Sequence, residues 1–150
     1  RELGKRVAQL EELQRLLLIL QGEIRCVRLT LPAVCELLAK DAKAPFQQFF
    51  WKVSEDLGKR TGQTAGEIWS RNLKEIQKLL FLTKKEQQDL EEFGQLLGRM
   101  DMPMQLSAIQ FYQEKIMLSL AEAKAAADSR QKLYRYLGAL GGAALVLVIM

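Results

Sequence analysis

Apolar residues recur along the first part of the chain with a helical period. Leu3, Leu10, Leu17 and Ile24 fall every seven residues, and Leu13, Leu20 and Val27 follow three behind the last three of them. Glu11, Glu12, Arg15 and Glu23 lie between, so the pattern is an a/d heptad and predicts one long helix over 2–28. Such a helix is about 40 Å long. Leu16, Leu18 and Ile19 widen its apolar face beyond a two-helix seam, which favours packing within its own bundle over a coiled coil with another chain. Pro32 cannot donate to a continuing helix and breaks the run. Thr30 is a natural N-cap for a short second helix carrying Leu31, Val34, Leu37 and Leu38 and ending near Ala42.

Pro45 suits the first turn of a third helix, and Phe46, Phe49, Phe50, Val53 and Leu57 form its stripe up to Gly58 or shortly after. An aromatic stripe at this spacing is expected in a core. Trp51 flanks it. Arg60-Thr61-Gly62-Gln63-Thr64 is a turn, followed by a fourth helix with Ile68, Trp69, Leu73, Ile76 and Leu80 on one face. Thr83-Lys84-Lys85-Glu86 is a capping box that starts a fifth helix, with Leu90, Phe93 and Leu97 inward and Gly98 as its stop. Asp101 is expected to cap the last helix, with Pro103 in its first turn. From there Leu106, Ile109, Ile116, Leu120, Ala123 and Ala127 continue without a break. No segment reads as a strand, so the expected fold is an all-α bundle of about six helices with long first and last helices.

Leu137–Met150 is 14 residues without a charge. As a helix it covers about 21 Å, short of the ~30 Å hydrocarbon layer, and length alone argues for a core helix. Three features argue for a membrane anchor. The segment is apolar all round. Tyr134 and Tyr136 with Arg130, Lys132 and Arg135 form the aromatic and basic border of a cytoplasmic interface, and Arg1, Lys5 and Arg6 resemble a second border. The expected organisation is therefore a cytoplasmic helical domain over 1–136 and a C-terminal transmembrane segment over 137–150, with a further membrane segment ahead of Arg1. Gly94 and Gly98 are four apart, as are Gly138 and Gly142. In a soluble helix this spacing permits close approach of a neighbour; in an apolar segment it is a weak helix-packing face.

Composition narrows the chemistry. The chain is 49% hydrophobic and 27% charged, ordinary for a folded protein. Its net charge of +4 is spread without a block, which reads as a solvated helical surface before it reads as a nucleic-acid footprint. The absence of histidine removes the usual general base and commonest transition-metal ligand. Cys26 and Cys35, separated by Pro32, cannot close a tetrahedral zinc site by themselves and read as reduced residues, with a disulfide the open alternative. The glycines of 138–142 precede apolar residues and form no phosphate loop. Glu11–Glu12, Glu55–Asp56 and Glu91–Glu92 are adjacent pairs that diverge on a helix. No catalytic, cofactor, metal or small-molecule site is expected, and the chain does not read as an enzyme.

Several motifs in fixed order carry a resemblance. They are Leu20-Gln21-Gly22-Glu23-Ile24 near the end of the first helix, Ala65-Gly66-Glu67-Ile68-Trp69, Phe93-Gly94-Gln95-Leu96-Leu97-Gly98 followed by Asp101 and Gln105, and Leu137-Gly138 opening the terminal run. Over essentially its whole length the chain resembles the bacterial stage III sporulation protein AB family. The family often places a proline just after the first helix, where this chain has Thr30 with Pro32 two residues later, which leaves the local turn open. The resemblance implies a component of the AA-to-AH sporulation complex, a secretion-like channel linking mother cell and forespore. It also implies a domain similar to the helical platform proteins of type II secretion and type IV pilus systems, in the mother-cell membrane with its domain in the mother-cell cytoplasm. The implied partner is the ATPase-like AA protein. Glu23, Glu67 and Trp69 are candidate partner contacts, because polar residues inside such motifs call for a reason beyond packing. The plainer alternative is that Trp69 fills the core and Glu67 is solvated. Trp51 is a second candidate from its place beside the Phe stripe. The rival function is a basic helical module contacting nucleic acid or anionic lipid.

Overall fold

A computed structural model of the chain describes residues 2–26, 30–99 and 102–149, and the side chains of 25, 26, 102–104 and 140–149 lie outside the description. The first heptad run folds as α1 (Glu2–Cys26), followed by α2 (Leu31–Asp41), α3 (Phe46–Gly58), α4 (Ala65–Glu75), α5 (Lys84–Leu97) and α6 (Met102–Ile149). Six α-helices and one 3-10 turn, with no strand among the described residues, match the expected all-α bundle with long ends. Val27 of the heptad and Asp101, the expected cap of α6, fall outside the described residues, as does the Cys26 side chain.

Thr30 and Thr83 cap the helices they were expected to start, and Thr64, read in sequence as part of a turn, caps a third. Thr30 Oγ1 accepts the Ala33 N–H at the start of α2. Thr64 and Thr83 each close a full capping box, with Glu67 and Glu86. Between α3 and α4 the chain turns at Arg60 (φ 49°) and Gly62 (φ 85°), and the left-handed Gly62 backbone suits a residue without Cβ. The Ala44–Pro45 peptide is cis, and Pro45 stands at the N-cap of α3 rather than inside its first turn.

One expected element is shorter than its pattern. The helix over Ile68, Trp69, Leu73, Ile76 and Leu80 ends at Glu75 and tightens into a 3-10 turn over Gln77–Leu79. The cause is tertiary: the Gln9 side chain on α1 donates to the Leu79 carbonyl (3.0 Å) and accepts the Phe81 N–H (2.7 Å). Those two bonds fix an extended backbone at Leu80–Phe81 that helix continuation would forbid. Ile76 and Leu80 are buried all the same.

Helix directions follow from the contacts. Gln113 donates to Gln21, while Arg6 lies in the field of Glu122, so α1 and α6 run antiparallel. Gln95 donates to the Gly66 carbonyl and Ser70 pairs with Glu91, so α4 and α5 do too. Lys115 bridges Asp89 and Glu92 while Gln105 reaches the Leu97 carbonyl, which makes α5 and α6 antiparallel as well. α2 and α3 form a hairpin packed on the side of α1 and α4.

The core is one continuous cluster. Leu10, Leu13, Leu16, Leu17, Leu20 and Ile24 of α1 meet Ile109, Ile116, Leu120 and Ala123 of α6. An aromatic chain crosses the other helices: Phe49 and Phe50 of α3 meet Trp69 of α4 edge-on at centroid distances of 4.8 and 6.0 Å. Trp69 meets Phe93 of α5 at 6.4 Å, and Phe93 stacks on Tyr112 of α6 at 4.6 Å. Edge and offset geometries of this kind add to the area buried by each ring. Cys35 is buried, and desolvation pushes its thiol up to about 12, so it packs as a small apolar residue rather than a thiolate.

Candidate interaction surface

The four candidate contacts separate once placed. Trp69 is 1% exposed, and its indole Nε1–H donates to the Leu90 carbonyl at 3.1 Å. Trp69 therefore cannot touch a partner of the folded domain, which corrects its place among the expected contacts; the plainer alternative holds for it. Glu67 is exposed, but its carboxylate accepts the Thr64 hydroxyl (3.0 Å) and backbone N–H (3.4 Å). The reason for this acid inside its motif is helix initiation first. Glu23 is exposed in the last turn of α1. Because α4 runs parallel to α6, Glu67 and Glu23 both lie at the end of the bundle where α6 begins.

Trp51 is 52% exposed and stands on the flank of the α2–α3 hairpin. With Ala39, Lys40, Gln47 and Gln48 it lines a depression of about 430 Å³. The position beside the Phe stripe was the sequence signal for this exposure.

The remaining motif residues have packing duties. The Gly94 backbone lies against the Trp69 ring, and a Cβ there would overlap the indole. Gln95 donates to the Gly66 carbonyl and to Ser70 Oγ, both at 2.9 Å, across the α4–α5 seam. A Cβ on Gly98 would lie 3.2 Å from that of Ala65. Gly66, Trp69, Gly94, Gln95 and Gly98 are thus one seam, read in sequence as two separate motifs.

Charges inside the bundle act as clamps. Arg6 on α1 donates through Nε to both Glu86 carboxylate oxygens, at 3.0 and 3.2 Å. Glu12 accepts from Arg15 (2.8 Å) and from the Lys43 N–H (2.7 Å), tying α1 to the α2–α3 loop. Asp56 accepts from Asn72 (3.0 Å) and Arg71 (2.8 Å), and these bonds hold its carboxyl below the ordinary value. Among the described residues no group of three or more His, Cys, Asp or Glu could hold a metal ion.

α6 has two halves. Up to Ala123 it is core; from Lys124 to Ala139 every described side chain except the half-buried Ala127 is exposed. Tyr134 is 70% and Tyr136 66% exposed. This stalk leaves the bundle beside the start of α1, where Arg6 faces Glu122. Among the described residues no helix is long and apolar enough to cross a membrane. Nothing described lies near Gly138, and 140–150, with Gly142, belong to the part of the expected span whose side chains are not described.

The sequence pattern of the family described as Stage III sporulation protein AB matches residues 1–150. The chain belongs to the stage III sporulation protein AB family. It is 30% identical over 146 residues to Stage III sporulation protein AB of Bacillus subtilis (strain 168), covering 97% of this chain and 85% of that relative. A solved structure of Stage III sporulation protein AB (SpoIIIAB) is similar with a TM-score of 0.73 at 28% identity, covering 83% of this chain and 98% of the other. Family membership places the chain in sporulation, and over the 83% of the chain that is matched the fold is shared with that solved relative.

Proposed function

We propose that the chain is a non-catalytic, membrane-anchored platform component of the sporulation channel complex that links mother cell and forespore. In this proposal residues 137–150 anchor it in the mother-cell membrane, with Gly138 and Gly142 as a helix-packing face, and residues 1–136 lie in the mother-cell cytoplasm. The observation that carries the proposal is α6, a single helix of 48 residues that belongs to the core up to Ala123 and leaves it over the exposed stretch from Lys124 to Ala139. A helix of this kind is stabilised mainly by what it packs against, so an apolar run at the end of a bare stalk calls for a surrounding medium. The family supports the sporulation setting. By analogy with secretion platform proteins, the partner in this proposal is an ATPase-like protein, the AA protein, docked on the bundle away from the membrane.

The partner surface proposed is the end of the bundle opposite the stalk, including Glu23 and Glu67, with Trp51 on the adjoining flank. It is tested by capture of the AA protein on the full-length chain carrying Glu23→Lys, Glu67→Gln or Trp51→Ala. Gln preserves the capping box of α4 while removing the charge. A contact residue of this kind weakens capture roughly tenfold. Undiminished capture by all three folded variants would place the surface elsewhere.

A further inference from the structure

Arg130, Lys132 and Arg135 are exposed on the stalk, and among the described residues none of them makes an ion pair or a hydrogen bond. Asp128, one helical turn before Lys132, is the last acid of the sequence, so three bases against one acid leave residues 128–139 with a net charge of +2. At ~100° per residue the three spread over about 200° of the helix, and Leu133, Tyr136 and Leu137 fill much of the remaining arc. Leu133 and Leu137 are 56% and 54% exposed, with no part of the bundle over them. A basic arc joined to an apolar and tyrosine arc is the arrangement that settles at a charged membrane surface.

A second observation points the same way. Lys84 and Lys85 occupy the first turn of α5, where the positive end of the helix dipole favours acids. Their placement runs against the dipole, and both are exposed, with Lys85 pairing with Asp89 one turn on at 3.7 Å. The Arg6–Glu86 clamp puts this turn beside the start of α1, the end from which the stalk leaves. Local electrostatics is set against the fold where it adds positive potential behind the stalk. Across that bundle end the exposed Lys5, Lys74, Lys78, Lys84, Lys85 and Lys124 outnumber the exposed acids Glu2, Glu75, Glu122 and Asp128.

We infer that the stalk over Arg130–Leu137 is a binding element for anionic lipid headgroups, with Lys84 and Lys85 adding longer-range attraction. The inference deepens the membrane reading above by naming the lipid class, and it rests on that reading for its setting only. The test is flotation of the full chain with vesicles of phosphatidylcholine alone or mixed with phosphatidylglycerol. The wild-type chain is expected to partition preferentially to the anionic vesicles, with the preference shrinking at high salt. Replacing Arg130, Lys132 and Arg135 together by Gln, which keeps helix propensity, is expected to lower that partition roughly a hundredfold. Lys84→Gln with Lys85→Gln should lower it less, without loss of fold.

Equal partition to both vesicle types, or a triple variant that keeps the preference, overturns the inference. Alkaline carbonate extraction separates it from the anchor. A chain that resists extraction without preferring anionic vesicles is anchored but does not read headgroups. One that prefers them yet is extracted reads headgroups without a spanning anchor. Failure to float with either kind removes both. Duplex DNA binding that the triple variant loses, with no vesicle preference, reassigns the basic arc to nucleic acid.

Discussion

The Glu86 carboxylate accepts the Thr83 N–H at 2.9 Å, closing the capping box of α5, and also receives the Arg6 guanidinium from α1. Burial would raise this carboxyl, but the hydrogen bond from Arg6 and those from Thr83 outweigh it and hold it below the ordinary carboxylate value. In the unfolded chain it titrates near ~4.3. Between the two values the unfolded state binds more protons, so stability rises with pH there. The contribution is fully present above the unfolded value and is lost as pH falls through the folded one. Glu86→Gln is therefore expected to cost roughly 2 kcal/mol at neutral pH and to flatten the loss of stability on acidification. Urea midpoints at pH 7, 5 and 3.5 check it; parallel profiles for both proteins would mean the carboxylate is not linked to folding. At this scale the Thr83-to-Glu86 box was legible, because both members lie in one turn. Arg6 was not, because its partner is 80 residues away.

At the α4–α5 seam the interaxial approach is set by what is missing from one side chain. Gly94 faces the Trp69 indole, and Trp69 in turn is boxed by Phe49, Phe50 and Phe93. With rings on every side the indole has no free volume to retreat into. Gly94→Ala gains helix propensity but forces the helices apart, and a net loss of roughly 2–3 kcal/mol is expected. Chemical denaturation measures it; an unchanged or raised midpoint would show that the seam can open freely. Gly98→Ala meets the Ala65 methyl at 3.2 Å, with the Gly94 and Gln95 carbonyls at ordinary contact distance, and should be milder. Thr64 was read only as part of a turn, whereas the starts of α2 and α5 were legible, since Thr30 and Thr83 cap by local bonds. The end of α4 was not, because Gln9 decides it from another helix. The same limit explains Trp69: its period marked an inward face, whereas its motif suggested a contact, and the motif proved to be packing.

Over the whole molecule, the count of helices and their long ends followed from periodicity, while their mutual directions became visible only through pairs such as Gln21 with Gln113 and Ser70 with Glu91. Those directions put Glu23 and Glu67 at one end of the bundle and the stalk at the other, an organisation that no single stretch of sequence contains. They also make α6 a shaft. It has neither glycine nor proline between Met104 and Leu137, so no hinge of the usual kind interrupts it. Under the proposed anchoring, the bundle's angular setting about the membrane normal is locked to that of residues 137–150. Adding one residue after Ser129 turns the two parts by about 100° relative to each other, whereas seven additional residues restore the setting to within about 20°. Spore formation by such insertion variants is expected to rise and fall with the helical period; a smooth decline with length would reveal a tether. Torque, and not distance alone, is what such a shaft transmits.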